Sequence, residues 1–182
     1  MACSKNLILS VNSQNLKTFF TKKIISNYKY WMDGIITSEI RNSGRREGYE
    51  ITTLKGKKSV LASVKILSDI SFNKYAVNKS ALEDSALKTI KAAMDEGKII
   101  LIDEVGSIAL LSDEFIRQVR DALSSQLPVL LIVRAGAKTF LNTLSVMNET
   151  KIYNMTKDNY SEIEKEVDSW FEFWIDRTKK NG

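Results

Sequence analysis

The chain has 182 residues, one cysteine, no histidine and a formal net charge of +5. The lack of histidine excludes Ser-His-Asp catalysis and histidine zinc sites, and a single cysteine excludes thiolate zinc sites and internal disulfides. Any chemistry therefore depends on carboxylates, lysine, arginine, hydroxyls or an oxygen-bound metal such as Mg²⁺. The length suits one domain, 1–182, and the low cysteine content favours the cytoplasm. No apolar run is long enough to cross a bilayer, so no membrane association is predicted.

The first half of the chain predicts one strand–helix unit followed by antiparallel strands. The apolar segment 6–11 predicts a strand, and 17–25 predicts a helix. Glycine-containing turns then separate three strand-like runs, which are 34–41, 49–54 and 59–62. Strands that alternate with such turns are typical of an antiparallel meander, so we expect an antiparallel hairpin insert over about 34–64.

From residue 79 the pattern changes to helices that alternate with strands. Ser80 and Glu83 predict a capping box at the start of a helix that ends at Gly97, and Ser112 predicts the N-cap of the next helix. Apolar runs predict three further strands, at 99–106, 127–133 and, more weakly, 151–155. An amphipathic helix over about 160–177 carries an apolar stripe typical of core packing, made of Ile163, Val167, Trp170, Phe171 and Trp174.

The run 99–102 is an unbroken aliphatic segment that leads directly into Asp103, Glu104 and Gly106. Four consecutive aliphatics are typical of a strand buried on both faces, and open α/β sheets place ligands at the carboxyl ends of such strands. Phosphoryl-transfer sites use one acid there to hold Mg²⁺ and often a second to orient the attacking water. The alternative is a buried strand that ends in solvated acids, and the run alone does not decide between them.

Four sequence blocks within residues 6–133 resemble the P-loop nucleoside-triphosphatases, and more closely the thermophilic phosphohydrolase-like, or cancer-related, nucleoside-triphosphatase family. The arginine-rich block 34–49 is the most specific, and the others are 74–78 with Glu83, 102–112 and 128–131. The resemblance implies a three-layer, RecA-like α/β fold whose mostly parallel sheet is flanked by helices. It also implies hydrolysis of nucleoside triphosphates with Mg²⁺ and little discrimination between bases.

Carried over by position, the resemblance implies roles for individual residues. Asp103 and the hydroxyl of Thr18 would hold the metal, and Glu104 would be the catalytic residue that positions or activates water. The guanidinium of an arginine can bind phosphate oxygens bidentately, and a Walker A lysine is expected beside the phosphates. The residues that would bind the triphosphate are therefore Lys17, Thr18, Arg45 and Arg46. Arg41 is interpreted instead as a structural ion-pair partner.

The Walker A segment departs from the family pattern, which needs glycines so that backbone N–H groups can cradle the phosphates. The segment 10–18 contains no glycine, and Val11 and Leu16 occupy the two glycine positions. Holding such residues at positive φ costs about 1–3 kcal/mol each, and their side chains would enter the phosphate space. Ser107 stands where relatives usually have a lysine. Arg134 stands where relatives often have a histidine.

The remaining charged groups offer a few contacts of about 1.5–3 kcal/mol each, whereas micromolar binding needs about 8 kcal/mol after ordering costs. The sequence therefore predicts a degenerate family member with weak nucleotide binding and reduced or lost hydrolysis. Mg²⁺ would accompany the nucleoside triphosphate only if that binding survives. The alternative is an active Mg²⁺-dependent enzyme that releases phosphate from ATP or GTP. Nucleic-acid binding by the basic turns is disfavoured because stacking aromatics are sparse there, and a protein partner is left open.

Overall fold

The computed structural model describes residues 3–181, so residues 1, 2 and 182 of the predicted domain lie outside the described part of the chain. Within that part, nine strands form one mixed sheet. They are β1 (Asn6–Val11), β2 (Met32–Asn42), β3 (Arg45–Thr53), β4 (Lys58–Ser63), β5 (Ser71–Phe72), β6 (Tyr75–Val77), β7 (Ile99–Val105), β8 (Val129–Arg134) and β9 (Thr150–Met155).

Helices lie against both faces of this sheet. They are α1 (Gln14–Tyr28), α2 (Lys79–Ala81), α3 (Lys88–Asp95), α4 (Asp113–Ser124), α5 (Lys138–Ser145) and α6 (Tyr160–Asn181). A π-helical turn, Leu82–Leu87, joins α2 to α3. Among the described residues, no helix combines the length and the apolar character that a membrane crossing requires.

The strand order across the sheet is β5-β6-β4-β3-β2-β7-β8-β1-β9. Strands β2, β7, β8, β1 and β9 are parallel neighbours, whereas β3, β4, β5 and β6 continue the sheet by antiparallel pairing. The predicted α/β architecture with a hairpin insert is confirmed. The antiparallel part extends to Val77, beyond the predicted end at about 64, because β6 pairs with β4 through Ala62 and Val77.

The central strands are buried on both faces, as their aliphatic runs predict. In β7, Ile100 and Ile102 pack into the core cluster that includes α3, α4 and α5 side chains. Ile99 and Leu101 point to the opposite cluster, which includes α1 and α6 side chains. Alternate residues of a strand point to opposite faces, so an unbroken apolar run fits a strand covered by helices on both sides.

Two of the predicted helix features are confirmed and one is wrong. Ser112 caps α4 by accepting a hydrogen bond from the Phe115 amide at 3.2 Å. The capping box at Ser80 does not form, because its hydroxyl donates instead to Asn78 Oδ1 at 2.6 Å and the helix already begins at Lys79. The α6 stripe faces the core, with only Trp174 partly buried among Ile163, Val167, Trp170, Phe171 and Trp174.

Gly34 is required because β2 runs very close to the backbone of β7 at this position. Its φ is +150°, and a Cβ added there would lie 1.9 Å from the carbonyl oxygen of Leu101. We expect Gly34→Ala to lower the free energy of unfolding by about 3 kcal/mol, since the clash is with backbone that cannot turn aside. Urea denaturation tests this, with Gly136→Ala as the control because nothing lies within 4 Å of a Cβ at Gly136. Equal midpoints for the two variants would contradict the close approach.

Candidate functional site

The carboxyl ends of three adjacent parallel strands bring the predicted site residues together. Val11, at the end of β1, is the register partner of Arg134 at the end of β8. Asp103, near the end of β7, is the partner of Ile132 on β8. Helix α1 follows β1 directly and carries Lys17 to the same edge. This is the edge at which open α/β sheets bind ligands.

Lys17 is turned towards the acidic strand, with its side chain almost fully buried. Its ammonium donates to Asp103 Oδ1 at 2.8 Å and to the Thr37 carbonyl at 2.8 Å. The second acid lies nearby, with Glu104 Oε2 at 3.6 Å from the same nitrogen. The structure therefore brings Lys17, Asp103 and Glu104 into one charged cluster, as the resemblance implies. The positive charge of Lys17 is therefore balanced by acidic side chains of the same chain.

The second oxygen of Asp103 is held by a residue that the sequence reasoning missed. Thr21 donates its hydroxyl to Asp103 Oδ2 at 2.8 Å, and Asp103 itself is only 1% exposed. Thr21 lies four residues after Lys17, so both side chains lie on one face of α1, and this spacing is the signal that could have identified it. Among the described residues, no hydrogen bond joins Asp103 to Thr18, the predicted metal-binding hydroxyl.

Arg134 links the second acid to the turn that follows β1. Its Nε donates to Glu104 Oε1 at 2.9 Å, its Nη1 to the Asn12 carbonyl at 2.9 Å, and its Nη2 to Gln14 Oε1 at 2.7 Å. One guanidinium thus ties together three segments of the site. The sequence marked Arg134 only as a departure from the family pattern, and Gln14 carried no signal at all.

Burial and the cations Lys17 and Arg134 shift the pKa values of Asp103 and Glu104 in opposite directions. Burial raises the pKa of the Asp103 carboxyl above its ordinary value, and Lys17 and Thr21 oppose the shift. Burial also raises the pKa of Glu104, against the attraction of Lys17 and Arg134. Burial therefore favours the protonated form of both carboxyls, and the two cations favour the ionised form.

The Walker A segment does not form an open loop. Helix α1 begins at Gln14, so that only Asn12 and Ser13 connect it to β1. Ser13 caps the helix: its hydroxyl accepts from the Leu16 amide at 3.3 Å, and its carbonyl accepts from the Lys17 amide at 3.0 Å. Two backbone N–H groups of the segment, those of Leu16 and Lys17, are therefore satisfied by the start of the helix.

The strain expected at the two glycine positions is absent, and that prediction is wrong. Val11 is 1% exposed and packs in the core as the last residue of β1. Leu16 lies in the first turn of α1. Among the described residues, the non-glycine positions with positive φ are Ser43, Asn73 and Glu149. Val11 and Leu16 therefore need no left-handed backbone, since one ends a strand and the other lies in a helix.

The hairpin arginines differ in their surroundings. Arg46 pairs with Glu39 at 2.9 Å and donates to the Tyr75 hydroxyl at 3.0 Å. Arg41 forms an ion pair with Glu39 at 2.6 Å, as predicted. Arg45 is exposed at the start of β3 and has no side-chain hydrogen bond or ion pair within the described residues. Contacts of Arg45 and Arg46 with a triphosphate stay predictions.

A cavity of about 110 Å³ opens beside the two charged networks. The polar residues that line it are Thr37, Glu104, Ser107 and Arg134. Apolar and aromatic residues complete the lining, among them Tyr49, Leu61, Phe72 and Ile108. Clefts that bury a whole drug-sized ligand measure about 300–1,000 Å³, so this cavity has room for only part of a nucleotide.

The sequence of the chain matches one protein family over most of its length. A family model described as NTPase matches residues 6–168. The chain is 29% identical over 157 residues to nucleoside-triphosphatase THEP1 of Thermotoga sp. (strain RQ2), a match that covers 86% of this chain and 90% of the relative. It is 31% identical over 146 residues to nucleoside-triphosphatase THEP1 of Methanocaldococcus jannaschii, covering 75% and 86%.

Two solved structures share the fold. The crystal structure of THEP1 from Aquifex aeolicus superposes with a TM-score of 0.78 at 24% identity, covering 89% of this chain and 96% of that one. The solution structure of a human cancer-related nucleoside triphosphatase gives a TM-score of 0.73 at 23% identity, covering 91% and 96%. The resemblance seen in the sequence is confirmed, and the chain belongs to the nucleoside-triphosphatase family of P-loop proteins.

Proposed function

We propose that the chain is a degenerate nucleoside-triphosphatase that binds nucleoside triphosphates weakly and hydrolyses them slowly or not at all. The observation that carries the proposal is the closed Walker A segment, in which Ser13 accepts from the amides of Leu16 and Lys17. Phosphate binding by a P-loop depends on several inward-pointing amides acting together. With the amides of Leu16 and Lys17 engaged in the helix, fewer amides are free to bind a polyphosphate, and its affinity falls.

The charged side chains support the same proposal. Lys17 would have to leave Asp103 and the Thr37 carbonyl before its ammonium could reach a phosphate. Breaking a buried ion pair by removing one partner costs about 3–5 kcal/mol. One charge-assisted hydrogen bond to a phosphate contributes about 1.5–3 kcal/mol, which does not offset that cost. It is therefore unfavourable for the Lys17 ammonium to leave Asp103 and bind a phosphate instead.

The proposed catalytic residue is also engaged. Glu104 Oε1 accepts from Arg134 at 2.9 Å, and only 12% of the Glu104 side chain is exposed. A general base must approach a water molecule with a free oxygen. The oxygen that Arg134 leaves free, Glu104 Oε2, lies 3.6 Å from the Lys17 ammonium, and this second cation also supports slow or absent hydrolysis. The neighbouring cavity would admit a phosphate group beside Arg134 and Thr37 more readily than a complete nucleotide. The single cysteine supports a reducing compartment such as the cytoplasm.

An active Mg²⁺-dependent enzyme is the second candidate, because Lys17, Asp103 and Glu104 do meet at the ligand-binding edge of the sheet. The two candidates differ in what nucleotide binding does to the cluster. An active enzyme requires the triphosphate to draw Lys17 and Arg134 away from the acids. The degenerate protein keeps both pairs whether nucleotide is present or not.

Phosphate release separates these candidates. With millimolar ATP or GTP and Mg²⁺, we expect release at the background rate, unchanged in Glu104→Gln. Calorimetry under the same conditions is expected to give a dissociation constant in the millimolar range. Glu114→Gln, an exposed acid on α4, is the matched control. Rapid release by the wild type that Glu104→Gln abolishes and Glu114→Gln preserves would contradict the proposal and establish the enzyme.

A further inference from the structure

The acidic pair already has a full set of cationic partners from the chain itself. Lys17 and Asp103 form an ion pair at 2.8 Å with side chains only 3% and 2% exposed. Arg134 and Glu104 form a second pair at 2.9 Å with side chains 28% and 12% exposed. Each carboxylate therefore has a counter-charge at hydrogen-bonding distance.

The residues expected to hold a divalent cation do not fit one in this arrangement. Mg²⁺ binds oxygen ligands at about 2.0–2.1 Å in nearly ideal octahedral geometry. Asp103 Oδ1 already accepts from Lys17, and Asp103 Oδ2 from Thr21, both at 2.8 Å. Within residues 3–179, no group of three or more acidic, histidine or cysteine side chains is arranged to bind a metal. Asp103 is only 1% exposed and its oxygens face Lys17 and Thr21, so a metal ion could reach it only by displacing one of these side chains.

We infer that Lys17 and Arg134 are permanent internal counter-ions that replace the divalent cation at Asp103 and Glu104. The chain then binds Mg²⁺ neither alone nor through a nucleotide. For the nucleotide, this inference rests on the proposed function. For the metal ion alone, it rests only on the two ion pairs.

Both cations are fixed by more than their acidic partners. Lys17 is 2% exposed and also donates to the Thr37 carbonyl, so a metal ion that displaced it would leave a buried ammonium without its main partner. Arg134 also donates to Asn12 and Gln14, which connects the end of β8 to the start of α1. These additional hydrogen bonds hold the cations in place when no ligand is present.

Manganese uptake by the wild-type protein tests the inference directly. Mn²⁺ prefers the same oxygen ligands as Mg²⁺, and the electron paramagnetic resonance signal of the free ion reports how much is unbound. We expect no loss of the free-ion signal at millimolar protein and stoichiometric Mn²⁺. Stoichiometric loss of the signal that Asp103→Asn abolishes would overturn the inference.

Removal of the internal cations is the converse test. The double variant Lys17→Met/Arg134→Ala is expected to take up Mn²⁺ and to melt at a higher temperature with Mn²⁺ than without it. Adding Asp103→Asn to this variant should abolish both effects. If the double variant folds but neither takes up Mn²⁺ nor melts at a higher temperature with it, the inference is overturned. If the double variant does not fold, the wild-type titration decides alone.

A fluorescent ATP analogue distinguishes this inference from the proposed function. We expect its dissociation constant to change less than twofold between Mg²⁺ and a chelator. At least tenfold tighter binding with Mg²⁺, with no phosphate release, would overturn the inference and leave the proposed degenerate function standing. Absence of binding in both conditions would remove weak nucleotide binding from the proposed function, and the Mn²⁺ titration would still decide the inference.

Discussion

Lys17→Met is expected to lower the free energy of unfolding by about 3–5 kcal/mol, because it leaves Asp103 buried without its counter-charge. Asp103 is 1% exposed, and Thr21 alone would remain as its side-chain hydrogen-bond donor. Urea denaturation at neutral pH measures the loss. Lys23→Met is the matched control, since Lys23 pairs with Glu164 at 2.9 Å on the surface with 43% of its side chain exposed. Exposed pairs contribute about 0–1 kcal/mol, so the control should change little.

A second substitution identifies the cause of this loss. Lys17→Met/Asp103→Asn removes both charges, and we expect it to recover most of the stability, because a neutral amide can keep the hydrogen bond from Thr21. If the double variant is no more stable than Lys17→Met, lost packing of the lysine stem would be responsible rather than the unpaired carboxylate. If Lys17→Met costs no more than Lys23→Met, the ion pair is not a structural element of the core.

Most of the architecture could be predicted because local pattern and tertiary environment agree. The aliphatic runs of β7 and β8 require burial on both faces, and the parallel sheet supplies it. The stripe on α6 has the helical period of a core-facing helix. Ser80 marks the limit of such reasoning, because its hydroxyl had a choice of nearby partners and donates to Asn78. Local hydrogen bonds of serine compete with capping, and sequence does not rank them.

Only some members of the candidate site could be predicted, and their pairing could not. Asp103 and Glu104 could be identified because they end a buried strand, where open α/β sheets bind ligands, and Lys17 could be identified through the family resemblance. Sequence could not show that Arg134 would pair with Glu104, since the two are thirty residues apart and meet only through the β7–β8 register. The expectation of strain at Val11 assumed that the loop keeps the family conformation. In the structure Val11 ends β1 and Leu16 lies in α1, so neither residue adopts left-handed backbone.

Val11→Gly/Leu16→Gly is expected to strengthen nucleotide binding at least tenfold, although it destabilises the fold. The loss of stability should be about 3 kcal/mol, from the glycine penalty in a strand and in a helix and from the lost burial of Val11. In return, the segment after β1 can adopt positive φ and turn its amides towards a phosphate. Two such hydrogen bonds to an anion are worth about 3–6 kcal/mol, of which a tenfold gain requires only about 1.4 kcal/mol.

Val11→Ala/Leu16→Ala is the matched control, because alanine removes the bulk without making positive φ accessible. Calorimetry with ATP, on variants shown to be folded by circular dichroism, compares the two. A gain confined to the glycine variant would identify backbone freedom as the missing requirement. An equal gain in the alanine variant would instead implicate steric obstruction by Val11 and Leu16. If neither variant binds ATP more tightly, the pairing of Lys17 with Asp103 is the remaining barrier. An open loop would then still lack a free cation to bind the phosphate.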